Sequence, residues 1–214
     1  MRRLAVLIVA ALLAAPAAAD AMQIDPAAPA APVVDPPIEW RHSRSLGKPF
    51  AGGRLVDGVQ LPAEGRDFWT YDWGLRASPN RPWRRWGNDR LVALLLDVLA
   101  EYRAANPDAP RVGIADLSRR HGGRFGRNFG GLGHASHQNG LDADVLYPRR
   151  DGLERRPWAP RLVDERLSQD LVDRFVAAGA TKVFTGWGLD LRGPRRVVVR
   201  LVHHNDHLHL RIRG

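Results

Sequence analysis

Six of the eight histidines in this 214-residue sequence fall in two short windows. The first, GHASHQNGLDAD at residues 133–144, holds His134 and His137 with Asp142 and Asp144. The second, HHNDHLH at residues 203–209, holds His203, His204, His207 and His209. There is no cysteine, which removes thiol nucleophiles and thiolate metal sites together. Any metal is therefore held by imidazole nitrogen and carboxylate oxygen. His137, Asp144 and one histidine of the second window would supply three such ligands. Three protein ligands and one open position is the pattern of a catalytic zinc site. Rival sites fit less well. An oxygenase triad usually spaces its first histidine and carboxylate one residue apart, and here six residues intervene. No HExxH stretch is present, and Ser136 sits in ASH rather than in a GxSxG elbow. His42 and His121 are isolated and are assigned no role.

The second window reads as a strand from His207 onward. Side chains alternate between faces along a strand, so His207, His209 and Arg211 point one way and Leu208, Leu210 and Ile212 toward a core. Two imidazoles two residues apart stand roughly 7 Å from each other at the backbone, so one can hold a metal while the other reaches a water on it. Strict alternation would put His204 on the wrong face, so the chain has to turn through Asn205 and Asp206. In the first window QNG can turn the chain into a strand LDADVLY, on which Asp142 and Asp144 share a face. Asp142 can orient a ligand histidine or make a local turn bond. Arg124, in GGRF, is a candidate anchor for a substrate carboxylate, which a guanidinium grips bidentately, or else a surface loop charge.

Helices and short strands must position these windows. Leucine and valine spacing predicts a helix over residues 88–105, capped by Asn88 or Asp89 and ended by NPDAP, and a second over 168–178 capped by Ser168. RVGIADL, LDADVLY, TKVFTGWG, RRVVVRLV and HLHLRI read as strands, and GGRLVDGVQLP as a short hairpin turning at Asp57-Gly58. SRRHGGRFGRNFGGLG, residues 118–133, reads as a long loop. Five tryptophans between residues 38 and 87 are read as packing residues rather than a cleft lining. The mixture gives an α+β class: a single domain with a central antiparallel sheet flanked by helices and a zinc site at the sheet.

The N-terminus has its own logic. MRR, the apolar run LAVLIVAALLAA and the small residues APAAADA have the layout of a secretory signal peptide, residues 1–19. The apolar run falls short of the ~20 residues a membrane span needs, so no stable membrane insertion is expected once it is cleaved. Residues 20–37, rich in alanine and proline, read as a linker. Residues 38–214 then form the domain. The formal charge is +9, carried almost wholly by arginine. For an exported protein this favours an anionic envelope polymer over nucleic acid, for which no recognised module is present.

The two windows together, with RRWGNDRLV and GGRF ahead of the first, resemble the penicillin-insensitive murein endopeptidases of the lysostaphin, D-Ala-D-Ala metallopeptidase and hedgehog superfamily. The resemblance implies zinc held by His137, Asp144 and His209, His207 as the active-site base, and His204 and His134 as further active-site histidines. It implies a periplasmic enzyme whose partner is peptidoglycan, cutting D-alanyl–diaminopimelate cross-links. A protonated His204 would steady the developing oxyanion. A D,D-carboxypeptidase or dipeptidase on the same site, and a non-catalytic cell-wall-binding module, are the other readings. Oligomeric state is not legible in the sequence.

Overall fold

The computed structural model describes residues 35–125 and 134–214. The expected leader, residues 20–34 of the linker and residues 126–133 of the glycine-rich loop lie outside the described residues. The rest belongs to one compact unit, Val33–Gly214.

Two-residue alternation builds the centre. Strands β6 (Val112–Ile114), β7 (Asp142–Leu146), β10 (His207–Arg211) and β8 (Lys182–Thr185) are hydrogen-bonded neighbours in that order, each pair antiparallel. Ala143 and Val145 of β7 and Leu208 and Leu210 of β10 turn to one face and join the main core. Asp142, Asp144, His207, His209 and Arg211 occupy the opposite face. In the register, His209 pairs with Asp144 and Arg211 with Asp142.

The expectation of an antiparallel sheet holds for this centre and fails at its edges. β4 (Phe68–Thr70) runs parallel to β6, and β9 (Val198–Arg200) parallel to β8, giving a mixed six-stranded sheet. A parallel neighbour needs a crossover. Helix α1 (Asp89–Ala105) lies in the connection from β4 to β6, and the segment 186–197 connects β8 to β9.

Helix α1 begins where expected. The Asn88 side chain accepts from the Arg90 backbone N–H at 3.0 Å, satisfying one of the donors a helix start leaves free. Leu91, Val92, Leu95, Val98, Leu99 and Tyr102 are buried against the sheet, each leucine contributing roughly 1.5–3 kcal/mol by removal from water. Helix α2 (Glu165–Ala177) starts earlier than expected. Its cap is Asp164, whose carboxylate accepts from Leu167 N at 2.9 Å, and Ser168 is a buried first-turn residue donating to the Asp164 carbonyl at 2.6 Å. Leu167 is already part of the inward stripe, so the helix has to begin before it. Both helices pack into the same core, on the face away from the histidines.

The expected hairpin at Asp57-Gly58 is also corrected. β2 (Ala51–Val56) pairs back onto β1 (Arg44–Lys48), whereas β3 (Val59–Gln60) pairs with β5 (Trp86–Gly87). Asp57 takes φ 49° between the two ladders, so it redirects the chain from one sheet to another rather than folding it on itself. Among the tryptophans, Trp69 is buried with Tyr71 and Leu146 in a second cluster, while Trp73 packs on its edge and reaches the cavity described next.

Candidate metal centre

On the polar face of β7 and β10 lies a cavity of about 810 Å³ whose lining includes His134, His137, Asp144, His204, His207 and His209. The two sequence windows therefore meet. Each histidine is held by a different device, and in four of the five the device ties one ring nitrogen to an acceptor and leaves the other facing Asp144 or the space beside it.

His209 is the partner of Asp144 across the ladder, and its Nδ1 lies 3.1 Å from Asp144 Oδ1. Its Nε2–H donates to Asp142 Oδ1 at 2.7 Å. Asp142 thus holds the His209 ring, and Arg211 Nε donates to the same oxygen at 2.7 Å. Burial pulls the His209 pKa down, but Asp142 and Asp144 outweigh it and hold it above the ordinary imidazole value. Only a cation reconciles a bonded Nε2–H with an Nδ1 so close to a carboxylate: a second ring proton, or a metal ion in its place.

His137 is buried and carries φ 65°, a left-handed conformation uncommon outside glycine. The neighbouring backbone enforces it: Gln138 N donates to Pro49 O at 3.0 Å, and Gly123 N to Gln138 O at 2.8 Å. Gly122, at φ 71°, packs so close that a Cβ there would overlap the Gln138 carbonyl. His137 Nδ1–H donates to the Leu117 carbonyl at 2.6 Å. Its Nε2 then lies 3.3 Å from Asp144 Oδ1.

His134 is set by a buried ion pair. Its Nε2–H donates to Asp116 Oδ2 at 2.6 Å, leaving Nδ1 at 3.6 Å from Asp144 Oδ2. Asp116 and Arg84 are both fully buried, and Arg84 Nε donates to Asp116 Oδ1 at 2.6 Å. Burial alone would push the Asp116 carboxyl up; Arg84 and His134 hold it below the ordinary carboxylate range.

His207 Nδ1–H donates to Asp206 Oδ1 at 2.7 Å, and its Nε2 stands 3.8 Å from Asp144 Oδ1. Trp73 packs its ring against the imidazole, centroids 5.1 Å apart. Burial would raise the Asp206 carboxyl, but His207 and Arg156 hold it low, so the acceptor stays ionised. The expected turn before the strand is present: His203 takes φ 64°, and His204 swings back beside His207, ring centroids 4.8 Å apart. His204 Nδ1–H donates to the Val202 carbonyl at 2.7 Å. Burial and then the neighbouring His207 push its pKa down to about 4. That environment favours the neutral ring over the protonated one expected at an oxyanion.

The donor set fits a metal ion. One ligand atom from each of His134, His137 and Asp144 can be chosen so that all lie within 4.8 Å of one another. His137 Nε2 and Asp144 Oδ2 are buried without a hydrogen-bond partner, a costly arrangement unless a cation satisfies them. Histidines whose other ring N–H is tied to carboxylate or carbonyl are the usual supporting arrangement of metal ligands.

Arg124 is exposed and does not line the cavity; its carbonyl accepts from Arg119 Nη1 at 3.0 Å. The arginines that do line it are Arg156 and Arg211. The sequence reading missed Asp116, Arg84, Asp206 and Arg156. Asp206 lay inside the second window, and Asp116 closes RVGIAD at the end of a buried strand, where a carboxylate needs a partner. Arg156, in LERRPW, carried no signal of its own.

The model of the penicillin-insensitive murein endopeptidase family matches residues 45–186. That span includes the first window and stops before the second, so His204, His207 and His209 enter the site through the fold. No curated protein matches the chain.

Proposed function

This chain belongs to the penicillin-insensitive murein endopeptidase family, and on that premise we propose that it is a zinc-dependent peptidoglycan hydrolase cutting D-alanyl–diaminopimelate cross-links in the periplasm. The observation that carries the reading is the inward convergence of nitrogen lone pairs on Asp144, each fixed by an outward hydrogen bond.

His137 Nε2, Asp144 and His209 Nδ1 are the proposed ligands. His134 Nδ1 is the nearest further donor and either completes the set or faces the substrate. A zinc ion held there would supply Lewis-acid polarisation of the scissile carbonyl and make water a competent nucleophile near pH 7. His207 is the proposed base. Its Nδ1–H is occupied by Asp206, so the lone pair on Nε2 takes the proton from the attacking water and hands it to the departing amine. Asp206 steadies the imidazolium that forms in between. His204, neutral and adjacent, shapes the pocket and offers its Nε2 as an acceptor. Trp73 and Phe184 wall the cavity with apolar surface, which limits water and strengthens each electrostatic contact.

The leader reading fits this substrate, since cross-linked peptidoglycan lies outside the cytoplasm. Among the described residues no helix is long and apolar enough to cross a membrane. The test is incubation of the purified mature protein with a purified cross-linked muropeptide dimer. Monomers should appear, persist with penicillin, which acylates serine nucleophiles, and vanish with a chelator. An intact dimer with release of terminal D-alanine would replace the endopeptidase by a carboxypeptidase, and no product of either kind would leave a binding module.

A further inference from the structure

The proposed chemistry gives no direct role to Arg156, a cationic side chain of the cavity lining. Arg156 comes from an irregular segment after β7, lines the cavity, and keeps 36% of its side chain exposed. Its Nε donates to Asp206 Oδ2 at 2.6 Å, and its Nη2 lies 2.5 Å from the same oxygen as an ion pair. The other oxygen of that carboxylate accepts from His207 Nδ1–H. Trp73 completes the frame: the guanidinium carbon lies 4.8 Å from its ring centroid, and the same indole packs on His207. Arg156 and the base are therefore held by the same two residues. Its Nη1 makes no hydrogen bond or ion pair among the described residues.

We propose that Arg156 binds a carboxylate on the leaving-group side of the scissile amide, and so selects substrates that carry one. The proposal rests on the amide-hydrolase reading above. His207 has to stand next to the departing nitrogen in order to protonate it. In a D-alanyl–diaminopimelate link the carbon bonded to that nitrogen bears a free carboxylate, only two bonds away. That carboxylate would lie on the His207 side of the cleft, and Arg156, tied to the same Asp206 and Trp73 as His207, lines the cavity there. A guanidinium already braced on one edge by Asp206 and on one face by Trp73 loses little freedom on binding a second carboxylate.

The other cavity arginine is placed differently. Arg211 lies four residues along β10 from His207, about 13 Å by strand rise, and its Nε is committed to Asp142. Arg124 does not line the cavity.

A bland role for Arg156 is support of Asp206, and the experiment separates the two. The zinc-loaded protein is given two muropeptide dimers that differ only in whether the carboxylate beside the scissile nitrogen is an acid or a primary amide. Wild type should prefer the acid by about 10–100-fold in kcat/KM. Arg156→Gln should bring that ratio close to one, and Arg156→Lys should retain part of it. A wild type without preference, or an Arg156→Gln variant that slows on both dimers and keeps the ratio, overturns the proposal. Calorimetry with free diaminopimelate and its amide gives a readout that needs no turnover. Wild type should bind the acid more tightly and Arg156→Gln should not discriminate. If no dimer is cut, the endopeptidase reading fails by itself, and equal affinity of wild type for acid and amide would then reject the carboxylate site as well.

Discussion

His209 and Asp144 face each other across the β10–β7 ladder with Nδ1 and Oδ1 3.1 Å apart, while the far nitrogen of the same ring donates to Asp142 at 2.7 Å. A strand pair thus brings two potential donor atoms together from neighbouring backbones. Asp142 fixes the tautomer and the ring angle. Asp142→Asn keeps the shape and removes the charge. It should lower zinc affinity by about 10–100-fold, the usual cost of losing such a partner. Competition with a chromophoric chelator measures this, and unchanged affinity would mean that His209 is not a ligand.

The ligand set itself is separable by single variants. His137→Ala, Asp144→Ala and His209→Ala should each lose bound metal and activity together. His207→Ala should retain metal and lose about 10²–10⁴-fold in turnover, the typical contribution of a general acid–base group. Elemental analysis alongside kinetics makes the distinction. If His134→Ala loses metal while His209→Ala keeps it, the centre is the group of His134, His137 and Asp144, and His209 serves only to position Asp144.

Much of this site was legible in the sequence because strand alternation is a local rule. HLHLRI and LDADVLY each state which residues share a face, and the fold needs only to pair them in register. What lay outside local rules was not legible. Arg84 and Asp116 are 32 residues apart, and nothing in either segment names the other. The parallel edges of the sheet depend on crossovers, which no strand pattern records. The start of α2 was misplaced because Ser168 and Asp164 both look like caps, and only the burial of Leu167 decides between them. Arg124 offered a guanidinium able to grip a carboxylate or else a surface loop charge, whereas the arginines that line the cavity are Arg156 and Arg211.

The buried Arg84–Asp116 pair should be costly to break from one side. Asp116→Asn removes a buried charge from beside a fully buried guanidinium, a change that typically costs about 3–5 kcal/mol. It also frees His134 from its acceptor. Urea unfolding of the metal-free protein should show the loss of stability, measured without any ligand binding to confuse it. A change under 1 kcal/mol would mean that other groups near Arg84 carry its charge.

Acid should act through Asp72 as well as through the site. Asp72 is fully buried and Arg81 Nε donates to its Oδ2 at 2.5 Å. Burial would raise the carboxyl; the Arg81 bond and the backbone N–H groups of Leu75 and Arg81 hold it below its ordinary value. A carboxyl lowered on folding contributes stability that is present above its unfolded pKa, about 3.9, and is lost as pH falls through the folded one. Asp72→Asn should therefore be less stable than wild type at pH 7, and the gap in Tm should close as pH is lowered through 4 toward 2. A gap independent of pH would show that the loop held by this pair, which carries Trp73, is stabilised by packing alone.

Metal should also report on the fold. His137 is held in a left-handed conformation with an unbonded buried nitrogen, and Asp144 has an unbonded buried oxygen beside it, so the centre carries unmet polar groups that a bound cation would satisfy. An ion that binds the folded chain alone stabilises it by about 2.7 kcal/mol at a hundredfold excess over its Kd. Zinc should accordingly raise the Tm of the wild type and of His207→Ala, which keeps the ligands, and should leave Asp144→Ala unmoved. Because the ligand nitrogens must shed protons to bind, the rise should shrink as pH falls below the imidazole range. A zinc-induced shift that survives in Asp144→Ala would place the bound ion elsewhere on the protein, and would detach the metal from the convergence of histidines on that carboxylate.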